Sequence, residues 1–231
     1  MKKGFTLAEI LITLAVIGIV ATLTLPNLLQ NYRERVYTTQ LQRAYNSISN
    51  ALVTHMAEEN AESLGDTLRS RDDIKAFLYK YLKVARYCGG SGSFNGTCFA
   101  EDGKYREIDS SNYQDYRSVI GYDRGILNVA RVNNQSSECV MLNTGATVCM
   151  STFDFNAKKG IITLDTNGGT GPNVNGKDFF GFYYFADGSV GSFSGTEDRY
   201  YGYSNQVYCR GLGFGCLDKA MAQGWKLNYD N

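Results

Sequence analysis

Proline, histidine and early cysteine are what this sequence lacks. Two prolines and one histidine are spread over 231 residues, and no cysteine occurs before residue 88. The lone histidine, His55, falls in a predicted helix, far in sequence from any plausible nucleophile. A Ser-His-Asp or Cys-His device would have to use it, so that class of enzyme is disfavoured. No Cys-x-x-Cys pair occurs, which argues against zinc. Neither sign of charge is in excess, with 23 basic and 23 acidic residues. Bulk electrostatics therefore give no sign of a dedicated nucleic-acid binder.

Glycine and tyrosine are abundant instead, at 25 and 17 residues. Turn-rich β structure with half-buried aromatics uses residues in this way. With 43% hydrophobic and 20% charged residues the chain can bury a core. Its length suits one domain with an appendage, or two small domains. An even number of cysteines, all beyond residue 87, favours disulfides and an oxidising compartment.

The N-terminus is the most informative stretch. Of the 21 residues from Phe5 to Leu25, only Glu9 is ionisable. A helix of that length reaches roughly 30 Å, enough to cross a bilayer. A secretory signal peptide fits badly, because Val20 to Leu25 runs on without a small-x-small cleavage site. A plain anchor leaves Glu9 unexplained, since a carboxylate deep in such a span costs roughly 2.5–3.5 kcal/mol. Lys2 and Lys3 precede the span and Arg33 and Arg35 follow it, so flanking charge does not orient it. Oxidised cysteines do: the bulk of the chain lies outside and the N-terminus inside.

Gly4-Phe5-Thr6-Leu7-Ala8-Glu9, behind the two-lysine leader, resembles the cleavage and methylation motif of type IV prepilins and type II secretion pseudopilins. The run Ile10 to Ile19, followed by Pro26, is similar to the helix of that family, and the likeness is close over about the first 50 residues. The resemblance implies that a prepilin peptidase cuts after Gly4 and methylates the new amine on Phe5. It also implies that Glu9 pairs with the terminal amine of a neighbouring subunit. A buried carboxylate needs a cation, and a subunit packed one step along supplies one.

Five segments are expected: a leader at 1–4, a transmembrane or filament-core helix at 5–25, an amphipathic continuation at 26–57, a helix-and-loop region at 58–124 and an antiparallel β head at 125–231. Pro26 is expected to kink the helix. Beyond it Leu29, Tyr32, Val36, Leu41, Tyr45, Ile48 and Leu52 form a stripe that packs on the protein's own sheet. Glu58 to Ser70 reads as loop. Asp72 or Ser70 caps a second helix with Ile74, Phe77, Leu78, Tyr81 and Leu82 as its apolar face. Gly89 to Asp123 reads mostly as loop. Strands are predicted at Ile126–Val132, Cys139–Leu142, Thr147–Phe153, Gly160–Leu164, Asp178–Phe185 and Ser189–Phe193, with a hairpin turn at Asp187-Gly188. The fold class is α+β, a long N-terminal helix on an antiparallel sheet, which is the pilin layout.

The cysteines form three near-neighbour pairs: Cys88/Cys98, Cys139/Cys149 and Cys209/Cys216. For the middle pair, a three-residue loop Asn143-Thr144-Gly145 sets Leu142 against Ala146 and Cys139 against Cys149, with Gly145 in the left-handed conformation. Opposed residues lie close enough there for a disulfide. Asp165 to Asp178 gathers short oxygen side chains in a glycine-rich loop. Asp165, Asn167 and Asp178 are candidate calcium ligands, although neither an EF-hand nor a nucleotide loop is matched. Some pseudopilins bind structural calcium in a comparable region. An ordered turn held by Asx side chains is the preferred alternative. Arg199 to Tyr203 and Arg210 to Gly215 either form a binding surface or cover a sheet edge.

The function expected is therefore non-enzymatic. The chain is a structural subunit of a type IV pilus or type II secretion pseudopilus, held in the cytoplasmic membrane with its head exported until assembly. Its partners are the prepilin peptidase, other subunits and the membrane. A minor tip subunit that binds a surface, DNA or an exported protein is the second expectation, and an anchored exported enzyme is the remote third.

Overall fold

The computed structural model describes residues 6–90, 98–100, 105–106, 137–156, 158–192 and 216–227. Its first element is a 53-residue helix, α1 (Leu7–Glu59), which contains Pro26. Proline has no N–H to donate, so the helix loses one main-chain bond there, yet the helical backbone continues on both sides. Threonine hydroxyls within the same stretch bond back to the helix: Thr13 to the Ile10 carbonyl, Thr22 to Gly18 and Thr24 to Val20. Such back-bonding removes side-chain donors that a bilayer could not satisfy.

Residues 1–36 and 37–231 form two compact units. In the second, α1 buries Leu41, Ala44, Ile48, Ala51, Leu52 and His55, a one-sided stripe at three- and four-residue steps. Leu29 and Tyr32, placed by the sequence on that stripe, are exposed. They continue the apolar surface of the N-terminal stretch, and periodicity alone cannot say which surface a helix turns to a core. Two further helices follow, α2 (Leu64–Thr67) and α3 (Arg71–Tyr81). The span expected as loop, Glu58 to Ser70, is loop interrupted by helix: α1 runs two residues past Ala57, and Ser63 caps the four-residue α2 by accepting from the Gly65 N–H. Of the two caps considered for α3, Ser70 is the one used. Its hydroxyl accepts from the Asp73 N–H while the Asp73 carboxylate accepts from the Ser70 N–H, a reciprocal capping box.

The sheet is a six-stranded antiparallel meander in chain order: β1 (Val84–Gly90), β2 (Ser137–Leu142), β3 (Thr147–Ser151), β4 (Lys159–Asp165), β5 (Phe179–Phe185) and β6 (Val190–Ser192). Strand β1 is a finding that the sequence did not announce, since only loop was expected after residue 88. Two register shifts against β2 break its two-residue period. It is fastened to α3 through Glu138, a buried carboxylate that accepts from the Arg71 Nε–H and the Tyr87 hydroxyl. A Cβ on Gly90 would overlap that Arg71 guanidinium, so a larger residue there would displace the arginine from Glu138. The β2–β3 hairpin places Cys139 opposite Cys149, and Gly145 adopts φ +87°. Strand β3 ends at Ser151, two residues before the expected limit, because the Phe153 N–H bonds the Leu68 carbonyl beside α2. The predicted strand Ile126–Val132 lies outside the described residues.

Both faces of the sheet carry buried residues. On one, Val140, Val148, Ile162, Phe180, Phe182 and Tyr184 join the core shared with α1, α2 and α3. On the other, Cys139, Cys149, Phe179 and Tyr183 pack with Phe99, Ala100 and Tyr105. A short helix, α4 (Cys216–Ala222), follows in the segment expected to be β, and Trp225 beyond it lies 5.3 Å from the Tyr45 ring of α1. The architecture is α+β and pilin-like: an N-terminal apolar helix, further helices and an antiparallel sheet.

Candidate functional site

Two places concentrate the chemistry singled out from the sequence. The first is the start of α1. Leu7–Pro26 is apolar and long enough to cross a membrane, and Glu9 is its sole ionisable residue. Every Leu, Ile and Val from Leu7 to Leu25 is at least 44% exposed. Soluble proteins rarely expose so large a contiguous apolar surface, and such a surface marks a place for lipid or other protein.

Glu9 sits in the first turn, and its surroundings are local. Its Oε2 accepts from the Thr6 N–H at 2.8 Å and from the Thr6 hydroxyl at 2.9 Å. The Thr6 hydroxyl oxygen in turn accepts from the Glu9 N–H at 3.3 Å, and the Thr6 carbonyl accepts from the Ile10 N–H. This is a capping box on the membrane-span end of the helix, so Glu9 is satisfied by its own chain. Thr6 is a partner the sequence reading quoted but gave no role, although the T-x-x-E spacing is itself the signal. Gly4 and Phe5 lie outside the described residues.

The second place is the turn between β4 and β5. Asp165 and Asp178 are fully buried. The Tyr105 hydroxyl donates to Asp165 Oδ2 at 2.7 Å, and the Asn167 N–H donates to Oδ1 at 3.2 Å. Asp178 accepts from the N–H groups of Asn173 at 2.7 Å and Val174 at 2.6 Å, so it pins the turn that precedes it. Burial pushes the Asp165 carboxyl well above its usual range, and the nearby Asp178 charge adds to the push. Burial likewise raises Asp178, to about 6, against the pull of its two backbone donors.

Around this pair several oxygens stand without a hydrogen-bond partner among the described residues: Thr166 Oγ1, Asn167 Oδ1, Asn173 Oδ1 and Asn175 Oδ1. Thr166, Asn173 and Asn175 are each at least nine-tenths buried. An orphaned buried polar atom costs about 1–3 kcal/mol, and four such oxygens, with the Asn175 amide nitrogen, belong to the turn that carries the two carboxylates. The donor set is all oxygen, hard and partly anionic, which suits calcium. Among the described residues no group of three His, Cys, Asp or Glu forms, so a cation here rests on two carboxylates and neutral oxygens. Sequence reasoning named Asp165, Asn167 and Asp178. It did not name Thr166, Asn173 or Asn175, whose burial is a property of the fold.

Four of the six cysteines are joined as Cys88–Cys98 and Cys139–Cys149, and Cys216 is disulfide-bonded as well. Cys209 lies outside the described residues, as do Arg199 to Tyr203 and Arg210 to Gly215. His55 is buried: its Nε2 meets the Thr67 hydroxyl at 2.9 Å, and Phe77 and Tyr81 flank its ring. Burial lowers its pKa, which suits a neutral packing role.

No curated protein and no solved structure is significantly similar to the chain. Residues 1–25 match the prokaryotic N-terminal methylation motif, which marks a prepilin-type N-terminus consistent with type IV pilin-like proteins.

Proposed function

We propose that this chain is a structural subunit of a type IV pilus or type II secretion pseudopilus, without catalytic activity. The observation that carries the reading is the first stretch of α1, a bare apolar helix that bears the methylation motif and one carboxylate. In the cytoplasmic membrane, lipid covers that helix while the disulfide-bonded head lies outside. After a prepilin peptidase removes residues 1–4 and methylates Phe5, the helices pack on one another and the apolar surface becomes the filament core. Glu9 then receives the Phe5 amine of a neighbour, which neutralises both charges where solvent is excluded. Mass spectrometry of the N-terminus, on membranes and on sheared filaments, tests this directly. A chain beginning at methylated Phe5 in both fractions is expected. A chain that keeps Met1 to Gly4 in its host, or never leaves the membrane fraction, contradicts the proposal.

A second reading, that the head takes a structural calcium, is favoured by the unpartnered buried oxygens of Thr166, Asn167, Asn173 and Asn175 beside Asp165 and Asp178. Bound there, the ion would offset the repulsion of two buried carboxylates and tie the β4–β5 turn together. Its role is stability of the head, and it supplies no reaction chemistry.

A further inference from the structure

The turn between β4 and β5 does not stand alone, because an earlier part of the chain lies against it. Cys98 is tied to β1 by its disulfide with Cys88, and its carbonyl accepts from the Thr147 hydroxyl at 3.0 Å. The two backbones come close there. A Cβ on Gly168 would lie 3.3 Å from the Cys98 carbonyl oxygen, and one on Gly169 would lie 3.0 Å from the Ala100 nitrogen. Tyr105 is fully buried, with its ring centroid 5.1 Å from that of Phe179. Its hydroxyl donates to Asp165 Oδ2 at 2.7 Å and accepts from the Ala100 N–H at 3.3 Å. Arg106 then pairs with the turn on either side of Val174: its N–H donates to the Asn173 carbonyl and its carbonyl accepts from the Asn175 N–H, each at 3.0 Å. One strap, Cys98–Ala100 with Tyr105–Arg106, therefore holds Asp165, Asn173 and Asn175. The last two carry the buried side-chain oxygens that have no hydrogen-bond partner among the described residues.

We propose that Tyr105 and the Cys88–Cys98 disulfide form a positioning device for cation binding: the disulfide fastens the strap against the β4–β5 turn, and the Tyr105 hydroxyl fixes the Asp165 carboxylate for a calcium ion. This rests on the calcium reading above and deepens it. A carboxylate that ligates a metal needs its own hydrogen-bond partners to hold its plane, and losing one costs roughly 10- to 100-fold in affinity. Asp165 is held from both sides, by Tyr105 on Oδ2 and by the Asn167 N–H on Oδ1. The turn itself contains Gly168, Gly169, Gly171 and Gly176. Glycine loses much freedom when it is ordered, so a turn left to itself would spend binding energy on its own shape. The strap supplies that order beforehand. Its disulfide joins residues ten apart and restricts the strap before any ion arrives. Cys139–Cys149 differs in this respect: it lies inside the β2–β3 hairpin, whose main-chain pairing sets the register without it.

The test titrates calcium chloride calorimetrically into the full-length chain in detergent, after chelator has been applied and removed. Wild type is compared with Tyr105→Phe, with the pair Cys88→Ser/Cys98→Ser, with the pair Cys139→Ser/Cys149→Ser and with Tyr105→Phe combined with the first pair. Near-ultraviolet circular dichroism in chelator checks that each head is folded. Tyr105→Phe keeps the ring against Phe179 and keeps the disulfide, so it reads the coupling even where a serine pair fails to fold. Tyr105→Phe and Cys88→Ser/Cys98→Ser are each expected to raise the Kd for calcium roughly 10- to 100-fold. Cys139→Ser/Cys149→Ser is expected to stay within about threefold of wild type. The combined variant is expected to bind no more weakly than the Cys88/Cys98 pair alone, because the disulfide acts through the strap that carries Tyr105. Wild-type affinity in Tyr105→Phe overturns the positioning role and leaves the calcium reading standing. Equal losses in the two serine pairs, or losses that add in the combined variant, overturn the link from disulfide to strap to Asp165. A wild-type chain that binds no calcium defeats the calcium reading itself, and the device with it.

Discussion

Along α1, residues 7–26 and residues 41–55 draw on the same apolar residue types, yet they meet opposite surroundings. In the first stretch leucine, isoleucine and valine occur all round the helix and all are exposed; in the second Leu41, Ile48 and Leu52 line one side and are fully buried, and only Val53 is exposed. A one-sided stripe is what a helix needs to pack on a sheet, whereas an all-round apolar surface needs lipid or a bundle of its own kind. The head can therefore complete its core alone, and the N-terminal stretch cannot. Folding buries the apolar side of residues 41–55 within one chain and leaves residues 7–26 bare.

That contrast is broken most forcefully by paired truncations. Ile48→Ala should destabilise the head by about 2–5 kcal/mol, the usual cost of emptying a buried isoleucine site. Ile17→Ala should leave head unfolding within about 0.5 kcal/mol of wild type, since its side chain contributes nothing to that core. Thermal unfolding of the full chain in detergent, followed by near-ultraviolet circular dichroism, reads both. Equal losses would mean that the two stretches of α1 share one core.

Calcium sharpens the comparison within the head. Chelation should lower its melting temperature, and calcium at a hundredfold over its dissociation constant should restore about 3 kcal/mol. The Asp165→Ala variant should ignore both treatments. A wild-type head indifferent to chelator leaves Asp165 and Asp178 as holders of an ordinary turn.

Much of this was legible beforehand. The span, the Cys139–Cys149 register and the Asp187-Gly188 hairpin come from composition, loop length and turn chemistry, all local quantities. What escaped was set by distant contacts. Strand β1 owes its place to Glu138, 67 positions from Arg71, and its bulges erase the period that would have shown it. Leu29 and Tyr32 looked like core because periodicity does not distinguish lipid from sheet. The exposed or buried state of Asn173 and Asn175 depends on how the turn folds over β5, which no local pattern encodes.

The smallest effect concerns His55. Burial lowers its pKa below the unfolded value of 6.5, so the unfolded chain takes up a proton before the folded head does. Stability from this residue is complete above that value and is lost as pH falls through the folded pKa. Its neighbours are Glu58, Glu59, Asp73 and Lys80. Relative to a His55→Gln variant, the wild-type head should lose ground between about pH 7.5 and pH 5, by no more than about 1 kcal/mol. A difference independent of pH would show that His55 charges equally in both states.

Glu9→Ala recruitment addresses the central claim most directly, that the bare stretch of α1 is completed only by other copies. The variant and the wild-type chain are expressed in turn, and membranes and sheared filaments are separated and quantified. The account predicts that the variant is made, inserted and cut after Gly4, because removing a carboxylate eases insertion, but that it is poorly incorporated into filaments. Incorporation at the wild-type level would contradict the pairing on which assembly is argued to depend.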